Sequence, residues 1–176
     1  MHIDKIHDTY LGIAKKLETA GAEAIIICAN TPHLVYPFVS PKITIPILHI
    51  ADATAMSAKE QGLYKLGLLG TKTTMQKDFL QKRITEKHQL EVIVPEQNSH
   101  NEIHRIISEE LTKGRFNNNA KAFILSEMRK LKDQGAEGII LGCTELPLLL
   151  EASDFSLPLL NTTRLHAEMA VEFIFS

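Results

Sequence analysis

The chain has 176 residues, 44% of them hydrophobic and 23% charged, which suits one ordinary domain or two small ones with a sizeable buried core. A formal charge of −2 leaves no electrostatic footprint for nucleic acid or an anionic membrane, so a small molecule is the expected partner. Two cysteines exclude a disulfide framework, the opening Met1-His-Ile-Asp-Lys5 has no secretory h-region, and no apolar run approaches the roughly 18 residues that span a bilayer; the expected location is the cytoplasm, with both thiols reduced.

From the N-terminus, Ile6, Tyr10, Ile13, Ala14 and Leu17 recur at helical spacing, and Gly21 ends the helix they predict. Residues 24–28 form a continuous apolar, β-branched run, expected as a strand buried on both faces of a parallel sheet. Asn30-Thr-Pro32 then reads as a helix start. Residues 43–50 predict a second strand with Pro46 near its beginning, where a missing donor is tolerated. Asp52 is the expected cap of a helix over 53–61, which Gly62 closes.

A strand over 65–69 follows, then Gly70-Thr-Lys-Thr-Thr74 opening a helix over about 75–87, and a strand over 91–95 that Pro95 ends. Ile103, Ile106, Ile107 and Leu111 mark the inner face of a helix over 101–111. A polar break at 116–120 leads into a helix over 121–134, a strand ending near Cys143, a Ser156-Leu-Pro-Leu-Leu160 segment, and a closing helix over 164–175. Such alternation predicts an α/β fold with parallel strands.

The chain repeats itself. Gln134-Gly-Ala-Glu-Gly-Ile-Ile-Leu-Gly-Cys-Thr-Glu-Leu-Pro-Leu148 aligns without gaps to Ala20-Gly-Ala-Glu-Ala-Ile-Ile-Ile-Cys-Ala-Asn-Thr-Pro-His-Leu34 at an offset of 114, and Leu11, Lys15, Lys16 and Leu17 match Leu125, Arg129, Lys130 and Leu131 at the same offset. Thr44-Ile-Pro-Ile-Leu48 pairs with 156–160 in the same way, at an offset of 112. Both copies of the strand end in polar groups, Asn30-Thr31 and Thr144-Glu145, which a packed core does not require. In open α/β sheets ligands bind beyond the carboxyl ends of strands, where Cys143 stands, and the N–H groups of a following helix would favour its thiolate.

With Cys28-Ala-Asn-Thr-Pro-His33 and Gly142-Cys-Thr-Glu-Leu146 as the two motifs, the chain resembles the aspartate/glutamate racemase family over essentially its whole length. Gly70–Met75, His49–Asp52 and Leu111–Gly114 fall where that family has comparable segments. The resemblance implies two pseudo-symmetric flavodoxin-like or Rossmann-like lobes with a cleft between them. It implies no cofactor, pyridoxal phosphate included, and an acidic amino acid as substrate; no metal-ligand spacing appears in the sequence, so no metal is expected. Mapped onto this chain, the implied lobes are 1–46 plus 158–176 and 47–157. The family carries a further βαβ portion before the position matching Met1, so the first lobe is expected to be incomplete here. A homodimer is the assembly that the family and an exposed sheet edge favour.

Racemisation needs an α-proton removed from one face and returned to the other, and the family does this with two thiols. Cys143 matches the second thiol. At the first, the offset of 114 pairs Ala29 with Cys143 and Cys28 with Gly142, so Cys28 should point to the opposite face as a small buried hydrophobe. The implied carboxylate ligands are Asn30, Thr31, Thr71, Thr74 and Thr144; Lys113 is the expected partner of a side-chain carboxylate, and Glu145 would assist Cys143. His33, His49 and His166 lie near strand or helix ends without an assigned role. Slow or one-sided racemisation, a single-thiol decarboxylase or isomerase of the same superfamily, and a non-catalytic binding protein are the alternatives that Ala29 keeps open.

Overall fold

The computed structural model describes residues 3–176. Helix α1 (Ile3–Thr19) leads to strand β1 (Ile25–Ile26), a 3-10 turn (Thr31–Val35), α2 (Tyr36–Val39) and β2 (Ile47–Leu48). Then come α3 (Ile50–Glu60), β3 (Lys65–Gly70), α4 (Lys72–Gln76), α5 (Phe79–His88), β4 (Glu91–Ile93) and α6 (His100–Arg105). The chain ends with α7 (Asn118–Asp133), β5 (Gly138–Gly142), α8 (Leu146–Leu149), β6 (Leu159–Asn161) and α9 (Thr162–Phe175). Among the described residues no helix is long and apolar enough to cross a membrane.

All strand pairs are parallel: β1 lies beside β2 in one sheet, and the other has the order β4-β3-β5-β6. The α/β class and its parallel sheets are as the alternating pattern predicts. Alternation along the central strands sorts their side chains between two cores. Leu69, Ile139 and Leu141 face α6 and α7 residues such as Ile103, Ile124 and Met128, whereas Leu66, Leu68 and Ile140 face Ile50, Ala55, Leu80 and Ile84 of α3 and α5. Every residue of β5 is buried, as helices on both faces require.

The smaller sheet departs from its expected form. Only Ile25 and Ile26 pair, and Ile26 is 41% exposed, because α1, Val35 and Val39 pack against the Ile25 side while the described residues leave the other side open. Cys28, expected as a buried hydrophobe, is exposed, and it lines a groove with Ile13 and Leu17 of α1 and with Ile25 and Ile26. The strand expected over 43–50 shortens to Ile47–Leu48: the Pro46 carbonyl accepts from the Ile25 amide, and at Ile50 the chain turns into α3. β2 thus pairs in the first sheet and β6 in the second.

Three other expectations are corrected. Asp52 does not cap α3; His49 does, its Nδ1 accepting from the Ala51 amide, while Asp52 sits in the first turn and is drawn to cations on α5. The helix expected over 75–87 breaks at Lys77, whose backbone is extended. The helix over 101–111 widens after α6 into a π-turn at Ile106–Glu110 and tightens into a 3-10 turn at Leu111–Lys113, ending on Gly114 at φ +68°, although its four inward residues are buried as expected.

Candidate active site at the strand ends

Cys143 follows directly on β5, at the carboxyl end of the larger sheet. Just before it, Gly142 pairs in register with Gly70 of β3. A Cβ on Gly142 would lie 2.8 Å from the Leu69 carbonyl oxygen, and one on Gly70 would lie 2.9 Å from the Gly142 carbonyl oxygen. Glycine at both positions lets the two strands close up here, and the Thr74 side chain packs across them, within 3.5 Å of either Cβ position.

Thr74 belongs to a ring of three hydroxyls. Thr71 and Thr74 are 3.0 Å apart, Thr31 is 3.1 Å from Thr74 and 3.2 Å from Thr71, and the Thr71 hydroxyl also caps α4 by accepting from the Thr74 amide. Three hydroxyls from two separate turns are therefore gathered at the first sheet's carboxyl end and beside the paired glycines. Each has one proton to donate; Thr31 and Thr71 are half-buried, and Thr74 lies fully buried beneath them.

Asn30, expected to start a helix by capping it, is used differently. Its backbone is already helical, and its Nδ2 donates over 2.9 Å to Thr162 Oγ1, which donates over 2.9 Å to the Leu141 carbonyl. This relay ties the end of β1 to the end of β5 through the first residue of α9. Asn30 Oδ1 is buried with no partner among the described residues, an acceptor left open. Thr162 was not among the residues expected at the site; its only sequence signal is a hydroxyl directly after β6.

Cys143 is 7% exposed and donates its thiol proton to Glu145 Oε2 over 2.8 Å; Thr144 Oγ1 donates to the same oxygen over 2.7 Å. Burial pushes the thiol up to about 12, with the neighbouring Glu145 carboxylate adding to the effect and the amides of Glu145 and Thr144 opposing it. The thiolate expected from a following helix is therefore not the resting form, because α8 begins only at Leu146, has four residues, and is outweighed by desolvation and a carboxylate. Burial raises the Glu145 carboxyl, but its bonds from Cys143 and Thr144 outweigh this and hold it below the ordinary value.

Not every expected residue joins this group. Thr144 is turned to Glu145 rather than to the threonine ring, and Lys113 is exposed at the end of its 3-10 turn without a hydrogen bond or ion pair from its ammonium among the described residues. Ala29 follows the first strand, and its carbonyl accepts from His33 Nδ1 over 2.8 Å. His33 is fully buried and its Nε2 accepts from the Ile50 amide, so one imidazole joins the Asn30–Thr31 turn to the start of α3. Burial brings its pKa down to about 4 and that of His49, 4.4 Å away ring to ring, down to about 2.

A family model of Asp/Glu/hydantoin racemases matches residues 3–170. Among curated proteins, the chain is 23% identical over 168 residues to the broad specificity amino-acid racemase RacX of Bacillus subtilis, covering 96% of this chain and 72% of that protein. A candidate Asp/Glu racemase from Yersinia pestis superimposes with a TM-score of 0.91 at 42% identity, over 97% of this chain and 74% of that one. An aspartate racemase homologue from Pyrococcus horikoshii gives a TM-score of 0.86 at 40% identity, again over 97% and 74%. The chain belongs to the Asp/Glu/hydantoin racemase family.

Proposed function

We propose that this chain is a pyridoxal-phosphate-independent isomerase that moves a proton at the α-carbon of an amino acid, with aspartate and glutamate as the substrates the family resemblance implies. One observation carries the reading: at the end of β5, beside the paired glycines and the threonine ring, Cys143 holds a proton shared with Glu145. Thr31, Thr71 and Thr74 hold the substrate's α-carboxylate, and their hydroxyl protons meet the negative charge that grows on it as the α-carbon loses its proton. Asn30 Oδ1, an acceptor without a partner, suits the substrate's ammonium.

The thiol proton first passes along its hydrogen bond to Glu145 Oε2, leaving a thiolate, which is a strong base because its conjugate acid is weak. The thiolate then takes the α-proton: the C–H bond breaks, an S–H bond forms and the electron pair stays on the α-carbon. Return of a proton from sulfur to the same face restores the C–H bond, and solvent protons enter by way of Glu145. Glu145 positions the thiol and passes protons to and from it.

Ala29 supplies no group on the opposite face, and Cys28 opens onto a different groove. Exchange at one face is accordingly faster than inversion. The same single thiol supports a second reading, a decarboxylase that protonates the carbanion left by a substituted malonate, for which release of carbon dioxide is the test. The primary reading is tested by α-proton exchange of L- and D-aspartate and glutamate in deuterated water, which Cys143→Ala should abolish.

A further inference from the structure

Thr31 has two surroundings. Its hydroxyl belongs to the ring with Thr71 and Thr74, and its residue also lines a pocket of about 480 Å³ between α1, the 3-10 turn and α4. The body of that pocket is apolar, built by Ile6 and Tyr10 from α1 and by Pro32, Leu34 and Val35 from the turn. His7, Thr31, Thr73 and Lys77 carry its polar side chains beside the Tyr10 hydroxyl, and Lys77 is exposed at its edge.

We propose that this pocket receives the substrate's side chain and extends the substrate class beyond acidic amino acids to those with large apolar or aromatic side chains. The inference rests on the placement of the α-carboxylate on Thr31, Thr71 and Thr74. A substrate held there by its carboxylate has the pocket immediately next to it, because one residue, Thr31, borders both. An aspartate side chain, one methylene and a carboxylate, leaves most of that volume empty. It also brings a charge against five apolar residues, with a single exposed lysine for compensation. A benzyl or branched aliphatic side chain fills the space and removes apolar surface from water on both sides. Lys113, the lysine expected to meet an acidic side chain, does not line this pocket.

The test is α-proton exchange in deuterated water for phenylalanine, leucine, alanine, aspartate and glutamate, run with binding of phenylalanine by calorimetry. Phenylalanine should exceed alanine in kcat/KM by at least about tenfold, the discrimination an apolar pocket gives per added group. Leu34→Arg and, as a second variant, Tyr10→Ala should each lower the phenylalanine-to-alanine ratio about tenfold while circular dichroism stays native. A ratio at or below one, or a ratio that neither folded variant moves, overturns the inference. Exchange of aspartate and glutamate without phenylalanine overturns it while the proposed isomerase stands. Binding of phenylalanine that Leu34→Arg abolishes, with no exchange of any amino acid, upholds the pocket and overturns the isomerase. Neither binding nor exchange overturns both.

Discussion

Cys143 donates its thiol proton to Glu145 Oε2 across 2.8 Å, and the same oxygen takes the Thr144 hydroxyl. A thiol so placed is a proton reservoir rather than a ready nucleophile. Burial raises its pKa first, and the Glu145 charge adds to that. Glu145→Gln removes the charge and keeps the size, so in a Cys28→Ser background the ultraviolet thiolate signal should titrate at lower pH than in the parent, where it lies at about 12. Because burial persists, the midpoint should stay above that of an ordinary thiol. An unmoved or raised midpoint would show that the carboxylate does not control the thiol.

The relay from Asn30 through Thr162 to the Leu141 carbonyl joins the two strand ends. Thr162→Val keeps the volume and leaves both a buried amide and a buried carbonyl unpaired. The expected cost is about 1 to 3 kcal/mol, read as a lower urea midpoint, and Thr162→Ser should recover most of it.

Stability should fall as the pH drops below 6.5. The unfolded chain's histidines take up protons there, whereas burial keeps His33 neutral in the fold until about pH 4 and His49 until about pH 2. Both folded values are depressed, so the stability they represent is complete above 6.5 and is lost as the pH falls through that window. For His33 alone the shift from 6.5 to about 4 corresponds to something on the order of 3 kcal/mol. Thermal unfolding between pH 7 and pH 4 measures it, and His49→Asn, which keeps an acceptor for the Ala51 amide, should flatten part of the slope.

Asp52, 9% exposed, accepts from Arg83, Lys87 and His88. Burial would raise its pKa, but these three donors outweigh it and hold the carboxyl well below its usual range. Asp52→Asn leaves Arg83, with 19% of its side chain exposed, without its counter-charge, at a cost of about 3 kcal/mol near neutral pH. The folded value is again the lower one, so the contribution is whole above the ordinary 3.8 and vanishes below it; parent and variant should converge in stability under stronger acid.

Much of this architecture could be read in the residues. The apolar run before Cys143 announced a buried strand, and the internal repeat placed Cys143, not Cys28, at a strand end, whereas the two-sided burial expected of residues 24–28 is not found. What stayed hidden depended on contacts between distant segments. Nothing local says that β1 keeps only two paired residues, since that depends on what covers its second face. Asp52 follows a turn and reads as a cap, but three cations arriving from α5 hold it instead, and His49 takes over the cap. His33, His49 and His166 read as isolated histidines in the sequence, and only the fold brings the His49 and His166 rings, tilted and edge-on, within 5.6 Å of the His33 ring. The Cys143 thiol was expected to ionise because a helix follows it. The balance was reversed by depth and by Glu145, neither of which a strand-to-helix pattern encodes.

The central claim is that Cys143 moves a proton at an amino acid's α-carbon, and nuclear magnetic resonance of α-proton exchange in deuterated water tests it most directly. The parent chain should exchange the α-proton of at least one of aspartate, glutamate and phenylalanine, with solvent deuterium entering one enantiomer faster than the two interconvert. Cys143→Ala, folded as judged by circular dichroism, should lose that exchange by at least about a hundredfold, the usual worth of a positioned acid or base. No exchange by the parent chain, or equal exchange by Cys143→Ala, would contradict the account.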